Sequence, residues 1–198
     1  MKGVNNESSN TDKMRAHQMK AKSSGDALRH EDVDLMVCTD LIDQSRTAVL
    51  NGLSSQATLL EVLAPNPEDK VLVSDVDPQL LMKIVFKERV NLTSVSLRFS
   101  KPPAEEEDQT YAKPRLIKIF CNSEDLDFGD VEEMPAFAQW VSDKPDEVEA
   151  KITLLGHKFQ RLETLEIFVC EAIDPEATRS YVNRVCIRGH QAQSYHAE

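Results

Sequence analysis

Apolar side chains recur at every second position in several short stretches of this chain, and this pattern constrains the fold more than any other feature. One stretch places Leu80, Met82, Ile84 and Phe86 on one side of an extended backbone. Four further stretches repeat the pattern, at residues 94–99, 117–121, 165–169 and 184–188. Alternation over about five to eight residues predicts strands with one buried face.

The segments around these stretches favour an all-β fold. Apolar runs at residues 59–63 and 137–141 bring the expected number of short strands to at least seven. The breaks hold proline or charge, and no long helical pattern lies between strands, so we do not expect a parallel α/β sheet. We predict a β-sandwich of the jelly-roll type. A brief helical turn on the core is expected from Leu35, Met36, Leu41 and Ile42.

Composition divides the chain into three parts. Residues 1–30 are polar and mixed in charge, so they cannot bury enough apolar surface to order by themselves. We expect a flexible tail there, disordered or partly helical across residues 12–22. The expected folded domain covers residues 31–190, and residues 191–198 form a C-terminal tail.

Acidic side chains dominate the expected domain. The chain holds 23 Lys and Arg against 34 Asp and Glu, a formal charge of −11. Residues 1–30 have six basic and three acidic side chains, so residues 31–198 have 17 basic and 31 acidic ones, or −14. Such a body repels phosphate backbones, which argues against nucleic acid as a partner. Two explanations stay open, solubility and a basic protein partner.

An acidic run in the longest expected loop, residues 101–113, is the candidate partner-binding site. It consists of Glu105, Glu106, Glu107 and Asp108. A loop tip of this composition is either simply solvated or docks on a basic surface.

The cysteines and the N-terminus indicate a reducing compartment. Cys38, Cys121, Cys170 and Cys186 have neither C-x-x-C nor metal-finger spacing. The N-terminus lacks the apolar region of a signal peptide, and no apolar run approaches the ~18 residues of a membrane span. We expect a protein of the cytoplasm, with the nucleus as a second compartment and no membrane partner.

Two carboxylates, Asp75 and Asp77, stand just before the strand that contains Leu80. An EF-hand calcium loop that began at Asp75 would need Gly at its sixth position, which is Leu80 here. A nucleotide-sugar metal would need an α/β fold, which the pattern does not predict. A turn fits better, because an aspartate accepts backbone N–H bonds and Pro78 fixes φ before the strand. We therefore expect no metal.

The sequence shows no pattern of residues for catalysis or for a cofactor. The five histidines have no zinc spacing, and G-x-S-x-G, P-loop and G-x-G-x-x-G motifs are lacking. A Cys–His pair that assembles in space stays open, although nothing nominates one. Trp140, the sole Trp, is either a packing residue at the core edge or an anchor on a binding surface.

Several segments in order resemble the PITH domain, a proteasome-interacting module named for its place behind a thioredoxin domain. Their order and spacing match over residues 34–190. The segments are Asp34-Leu, Leu41-Ile-Asp43, Leu50-Asn51, Ser74-Asp-Val-Asp-Pro-Gln-Leu-Leu81, Pro114-Arg-Leu-Ile-Lys-Ile-Phe-Cys-Asn122, Leu126-Asp-Phe-Gly-Asp130, His157-Lys-Phe-Gln-Arg-Leu162, Leu165-Glu-Ile-Phe-Val169, Thr178 and Val185-Cys-Ile-Arg-Gly189.

The resemblance implies a jelly-roll sandwich similar to galactose-binding-like domains, without catalytic residues. Thioredoxin-linked members carry a redox domain with a C-x-x-C, which this sequence lacks, so thiol–disulfide exchange is not carried over. The chain is similar to stand-alone PITH proteins. We expect a non-enzymatic monomer without a cofactor that docks on the proteasome regulatory particle or on another cytosolic assembly.

Two other functions stay open. A jelly roll can hold a small molecule or a carbohydrate in its loops, although few aromatic side chains are available here to stack on a sugar. A hydrolase assembled from residues scattered in sequence would need a Cys or Ser beside a His, with shifted pKa values.

Overall fold

The computed structural model of the chain describes residues 32–37, 40–67, 69–105, 107–123 and 125–192. The predictions for the tail at residues 1–30 lie outside this part, as do those for Cys38, Glu106 and residues 193–198.

Strands are the main secondary structure of the described chain. They are β1 (Val33–Asp34), β2 (Ala48–Leu50), β3 (Leu72–Val73), β4 (Leu80–Arg98), β5 (Tyr111–Ala112), β6 (Pro114–Cys121), β7 (Ala138–Val141), β8 (Glu149–Thr153), β9 (Leu162–Ala172), β10 (Arg179–Val182) and β11 (Arg184–Gln191). Two short helices interrupt them, α1 (Leu59–Leu63) and α2 (Phe128–Glu133). Two 3₁₀ turns cover Leu35–Val37 and His157–Phe159, and the first lies where the sequence predicted a helical turn.

Strand β4 runs for 19 residues and contributes to both layers of a β-sandwich. Its first half pairs with β2 and β9. On the far side of β9 lies β6, which pairs in turn with β7. Its second half pairs with β8 and β11, and β11 pairs on its other side with β1. The exposed residues 87–89 separate the two halves. The predicted jelly-roll sandwich is confirmed, with the difference that two expected strands are halves of one.

The core lies between the two layers. The alternating residues Leu80, Met82 and Ile84 of β4 are fully buried in it. The facing layer contributes residues of β11 and β8, among them Val185, Ile187 and Ile152. Burial of each such aliphatic side chain stabilises the fold by roughly 1.5–3 kcal/mol.

Helix α2 covers the outer face of the first layer. Leu81, Phe120 and Phe168 point away from the main core and form a second buried cluster with Val131 of this helix. The ring of Phe128 packs edge-on against Phe168, with 5.9 Å between ring centroids. The helix therefore explains why both faces of the first layer are apolar in sequence. Neither α-helix in the described residues is long and apolar enough to cross a membrane.

The prediction of a strand at residues 59–63 is wrong, because these residues form α1. The Thr58 hydroxyl accepts a hydrogen bond from the N–H of Glu61 at 3.4 Å, and the Glu61 carboxylate accepts one from the N–H of Thr58 at 2.8 Å. This reciprocal capping box marks a helix start. A five-residue apolar run alone does not distinguish a strand from a buried helix.

A second sheet of three short strands, in the order β3–β10–β5, joins loops from distant parts of the chain. Strand β10 pairs antiparallel with β3 and parallel with β5. Ser74 and Ser180 extend the first pairing, since the N–H of Ser74 donates to the carbonyl of Ser180 at 3.0 Å. The N–H of Ser180 donates in turn to the Ser74 hydroxyl at 2.9 Å. This sheet positions the loops of the candidate site.

Candidate functional site

Residues 74–77, which we call the aspartate turn, are held by the side chain of Asn51 from a distant loop. The amide nitrogen of Asn51 donates to the Asp77 carboxylate at 2.9 Å and to the carbonyl of Gln79 at 2.7 Å. Its amide oxygen accepts from the N–H of Val76 at 2.9 Å. Asn51 has a φ of 61°, a left-handed conformation that Asn adopts more readily than most residues. The turn is therefore fixed in one conformation.

Asp77 closes the turn in the way that the sequence predicted. Its carboxylate accepts a hydrogen bond from the N–H of Gln79 at 2.9 Å, which is an Asx-turn, and β4 begins one residue later. The structural interpretation of Asp77 is confirmed.

Asp75 is engaged by a basic residue of β10. The Arg179 guanidinium donates through Nε to the carbonyl of Asp75 at 3.1 Å, and Nη2 lies 3.7 Å from the Asp75 carboxylate. Both aspartates thus hold the turn to its neighbours. Among the described residues, no group of three or more His, Cys, Asp or Glu side chains is placed to hold a metal ion.

A groove of about 540 Å³ lies beside the aspartate turn. Its walls come from this turn, from α2, from the end of β9 and from the loop after β9. The described residues that line it include no Lys, Arg or His. They include four carboxylates, those of Asp77, Glu132, Glu171 and Asp174. The Gln79 side chain donates to Glu132 at 2.8 Å and so ties the turn to α2. We call this feature the acidic groove.

Two cations lie near the acidic groove, and they neutralise only a part of it. Arg115 donates to Glu171 at 2.6 Å. The Lys118 ammonium donates to the backbone carbonyls of Val131 and Glu132 at 3.2 and 3.3 Å. The carboxylates of Asp77, Glu132 and Asp174 form no ion pair with any described residue. The groove therefore presents uncompensated negative charge.

Cys170 lines the acidic groove, but its thiol is not activated. Burial raises its pKa to about 12; the Glu171 and Glu132 carboxylates also raise it, and Lys118 opposes them. At pH 7 such a thiol is ionised in roughly one molecule in 10⁵. Burial likewise raises the pKa of Cys121 to about 12 and raises that of Cys186. A nucleophilic cysteine needs the opposite environment.

The structure describes three of the four residues in the acidic run that was predicted to bind a partner. Glu105, Glu107 and Asp108 are exposed, and Glu106 lies outside the described part of the chain. These three described residues present charge to solvent, as both interpretations of the run require.

The acidic loop and the aspartate turn share one anchor. The N–H of Thr110, two residues after the acidic run, donates to the Thr178 hydroxyl at 3.0 Å. Thr178 directly precedes Arg179, which contacts Asp75. The structure thus attaches both acidic features to the start of β10, a relationship that the sequence did not predict.

Trp140 packs at the core edge, which was one of its two predicted roles. It is half-buried on β7, and its ring lies 5.8 Å from that of Phe99 between centroids. His157 is exposed, directly after Gly156 with its φ of 98°. Neither residue lines the acidic groove.

The sequence did not predict the acidic groove or the role of Asn51. Glu132, Glu171 and Asp174 come from separate segments, and no local spacing relates them. Asn51 carried a partial signal, because an Asn followed by Gly52 marks a turn. Its hydrogen-bond partners lie 25 to 28 residues away and cannot be read from that dipeptide.

Solved structures share this fold at low sequence identity. The C-terminal domain of a chitobiase from Bacteroides fragilis matches with a TM-score of 0.54 at 11% identity, over 82% of this chain and 100% of that chain. A family 32 CBM from C. perfringens, in complex with galactose, gives 0.50 at 8% identity, over 75% and 98%. A fucolectin from striped bass serum gives 0.50 at 9%, over 83% and 50%. The chain therefore has the galactose-binding-like jelly-roll fold.

The family follows from the sequence. A model of the PITH domain matches residues 30–197, so the chain belongs to the PITH domain family, as the ordered segments indicated. A comparison with curated proteins gives no significant match.

Proposed function

We propose that this chain is a non-enzymatic protein-interaction module whose acidic groove and aspartate turn dock on a basic segment of a cytosolic assembly. Membership of the PITH family makes the proteasome regulatory particle the first candidate. In this proposal the chain acts as a monomer in the cytoplasm and nucleus, without nucleic acid, a membrane or a cofactor.

The observation that carries the proposal is the uncompensated charge of the acidic groove. Four carboxylates line it, and Arg115 neutralises only one of them, Glu171. Charge of one sign in a concave surface attracts an oppositely charged segment and speeds its association. A partner segment rich in Lys or Arg satisfies this groove, whereas an acidic one is repelled.

The aspartate turn adds a preorganised contact point. Val76 is 84% exposed at its apex, and its backbone N–H is held by the side chain of Asn51. An apolar side chain on a rigid backbone loses little conformational freedom when a partner covers it. Val76 therefore supplies an apolar anchor between the two carboxylates of Asp75 and Asp77.

The acidic run extends the same surface in this proposal. Glu105, Glu107 and Asp108 are exposed, and their loop is attached to the start of β10 beside Arg179. A partner that covers the aspartate turn can reach this loop along β10.

The same surface gives less support to catalysis and to sugar binding than to a protein partner. The Cys170 thiol in the groove is protonated at neutral pH because burial raises its pKa to about 12. An exposed aromatic ring favours sugar binding, but Trp140 packs on Phe99 and Tyr181 is buried. The exposed ring of Phe137 has the Lys158 ammonium 5.4 Å from its centroid, and it does not line the groove.

The test is co-purification of the tagged full chain with proteasome regulatory particles at low and high salt. The groove variant carries Glu132→Lys and Glu171→Lys, and a second variant carries Val76→Lys. The matched control carries Asp40→Lys and Glu149→Lys, which change two exposed carboxylates that do not line the groove. A third variant neutralises Glu105, Glu107 and Asp108 to test the loop separately.

The proposal expects the wild type and the control to retain regulatory particles. It expects the groove variant and Val76→Lys to lose them, and high salt to weaken capture because exposed charges are screened. Retention by the groove variant would reject the groove as the docking surface. A wild type that retains no regulatory particles at low salt would reject this assembly as the partner.

A further inference from the structure

A second concave site is lined by cations, whereas carboxylates line the acidic groove. It has a volume of about 380 Å³ and lies between residues 66–70, 98–101 and 183–184. Its four basic side chains are those of Lys70, Arg98, Lys101 and Arg184, and one carboxylate, Asp69, lies among them. We call it the basic pocket. Its lining residues carry a formal charge of about +3, and two carboxylates outside the lining, Glu61 and Asp34, pair with Lys70 and Arg184.

The basic pocket is built around a buried amide. Asn183 is 9% exposed and sits between β10 and β11. Its side-chain nitrogen donates to the carbonyls of Lys70 and Lys101 at 3.3 and 2.9 Å, and its side-chain oxygen accepts from the N–H of Lys101 at 3.0 Å. Asn183 therefore fixes the two lysine-bearing segments beside each other. The convergence of charge is a result of the fold and not of a flexible loop alone.

The cations of the pocket differ in how firmly they are paired. Lys70 pairs with Glu61 at 2.7 Å, and the two side chains are 46% and 40% exposed. Arg98 forms no ion pair with any described residue. Lys101 pairs with Asp69 at 2.5 Å, but the two side chains are 67% and 81% exposed, and such surface pairs contribute only ~0–1 kcal/mol. A ligand anion can therefore replace Asp69 at Lys101 with little loss of free energy.

One nitrogen of the Arg184 guanidinium has a hydrogen-bond partner, and another has none among the described groups. Its Nη2 donates to Asp34 at 2.9 Å, which orients the guanidinium. Its Nε–H is buried and donates no hydrogen bond to any described group. A buried donor without an acceptor is unfavourable, so a ligand oxygen that reached it would add stability.

We infer that the basic pocket binds a phosphate monoester. Arg98 has no carboxylate partner among the described residues, and Lys70 and Lys101 are held only in exposed pairs. More than one positive charge can therefore face a ligand, which suits a dianion better than a singly charged carboxylate. Arg and Lys are the usual ligands of phosphate oxygens, through charge-assisted hydrogen bonds. The volume falls in the ~300–1,000 Å³ range of small-ligand sites, so it also admits the group that bears the phosphate.

This site is separate from the proposed docking surface. Lys70 and Asp75 stand on opposite sides of β3, five residues apart, or about 17 Å along an extended chain. The small sheet therefore carries positive charge at one end and the aspartate turn at the other. Binding of a phosphate at the basic pocket does not require the acidic groove to have a partner.

The test measures binding of inorganic phosphate, phosphoserine and a phosphoserine peptide to the full chain by calorimetry. Sodium chloride at equal ionic strength and the unphosphorylated peptide serve as ligand controls. The pocket variants are Arg98→Gln and Lys101→Gln, and the matched control is Lys151→Gln, an exposed lysine on β8 that does not line the pocket. Thermal unfolding of each variant checks that the fold is retained.

The inference expects saturable phosphate binding by the wild type and by Lys151→Gln. Each pocket variant should raise the Kd about tenfold, the effect of losing one charge-assisted contact. Tighter binding of the phosphopeptide than of phosphoserine assigns the ligand to a partner protein, and equal binding assigns it to a small metabolite. Equal affinity in Arg98→Gln, Lys101→Gln and the wild type overturns the inference, as does a chloride effect equal to that of phosphate.

Discussion

The side-chain amide of Asn51 lies 2.9 Å from the carboxylate of Asp77, although 26 residues separate them in sequence. This contact converts a D-x-D pair, which in another fold could hold a metal, into a rigid turn. Because Asn51 also holds the N–H of Val76, the same side chain determines both the shape of the turn and the display of its apolar apex. In the proposed function, stability and docking are therefore linked at this residue.

The first prediction concerns Asn51→Asp. The change removes the donors to Asp77 and Gln79 and places a second carboxylate against Asp77. We expect a loss of about 1–3 kcal/mol in the free energy of unfolding, measured with urea at pH 7. Gln139→Glu, which adds the same charge at an exposed position of β7, should cost much less. Equal stabilities for the two variants would show that the contact does not hold the turn.

The second prediction concerns Gly189, at the register shift between β11 and β4. A Cβ added there would lie 2.1 Å from the backbone oxygen of Asn91, and no side-chain rotation relieves a clash with backbone. We expect Gly189→Ala to lower the free energy of unfolding by at least about 3 kcal/mol. Gly129→Ala in α2 is the control, because Ala favours a helix and the nearest contact is a side chain at 3.3 Å. A Gly189→Ala protein as stable as Gly129→Ala contradicts the packing described here.

The fold could be predicted from the sequence because strand periodicity is local. Side chains at every second position of a strand share one face, wherever the strand lies in the fold. Leu80, Met82 and Ile84 could therefore be assigned to one buried face from the sequence alone. The error at residues 59–63 has a local cause too, since the Thr58–Glu61 capping pattern was present and outweighed the short apolar run. What stayed hidden was the continuity of β4, because residues 87–89 between its halves are exposed and polar.

The third prediction is a pH dependence that involves this capping box. The hydrogen bond from Lys70, with those from Thr58, lowers the Glu61 pKa from 4.5 to about 2. A lowered pKa stabilises the fold above about pH 4.5, and the contribution is lost as the pH falls toward 2. Glu61→Gln should therefore be less stable than the wild type at pH 7, and the difference in Tm should shrink between pH 5 and pH 2.

The Gln side chain can still accept the capping hydrogen bond, so this variant isolates the charge. Glu133→Gln, at an exposed position at the end of α2, removes the same charge as a control and should show a smaller change with pH. A Tm difference for Glu61→Gln that stays constant from pH 7 to pH 2 would mean that the carboxylate charge makes no contribution.

The candidate sites were harder to predict than the fold, because each collects charge from separate segments. The acidic groove unites Asp77 with Glu132, Glu171 and Asp174, and the basic pocket unites lysines that are 31 residues apart, Lys70 and Lys101. A sequence shows the total charge but not which residues converge. The acidic run at residues 105–108 was visible only because its charges are consecutive.

The last prediction tests whether the module is chemically inert at its thiols. Burial raises the pKa of Cys170 and of Cys121 to about 12, from an ordinary 9.0, which lowers the thiolate fraction at pH 8 by roughly 10³. Iodoacetamide should therefore alkylate both residues far more slowly in the native protein than in urea, where burial is lost. Peptide mapping by mass spectrometry measures each site separately. Native Cys170 that reacts as fast as in urea would reveal an accessible thiolate in the acidic groove and would reopen an enzymatic function for this surface.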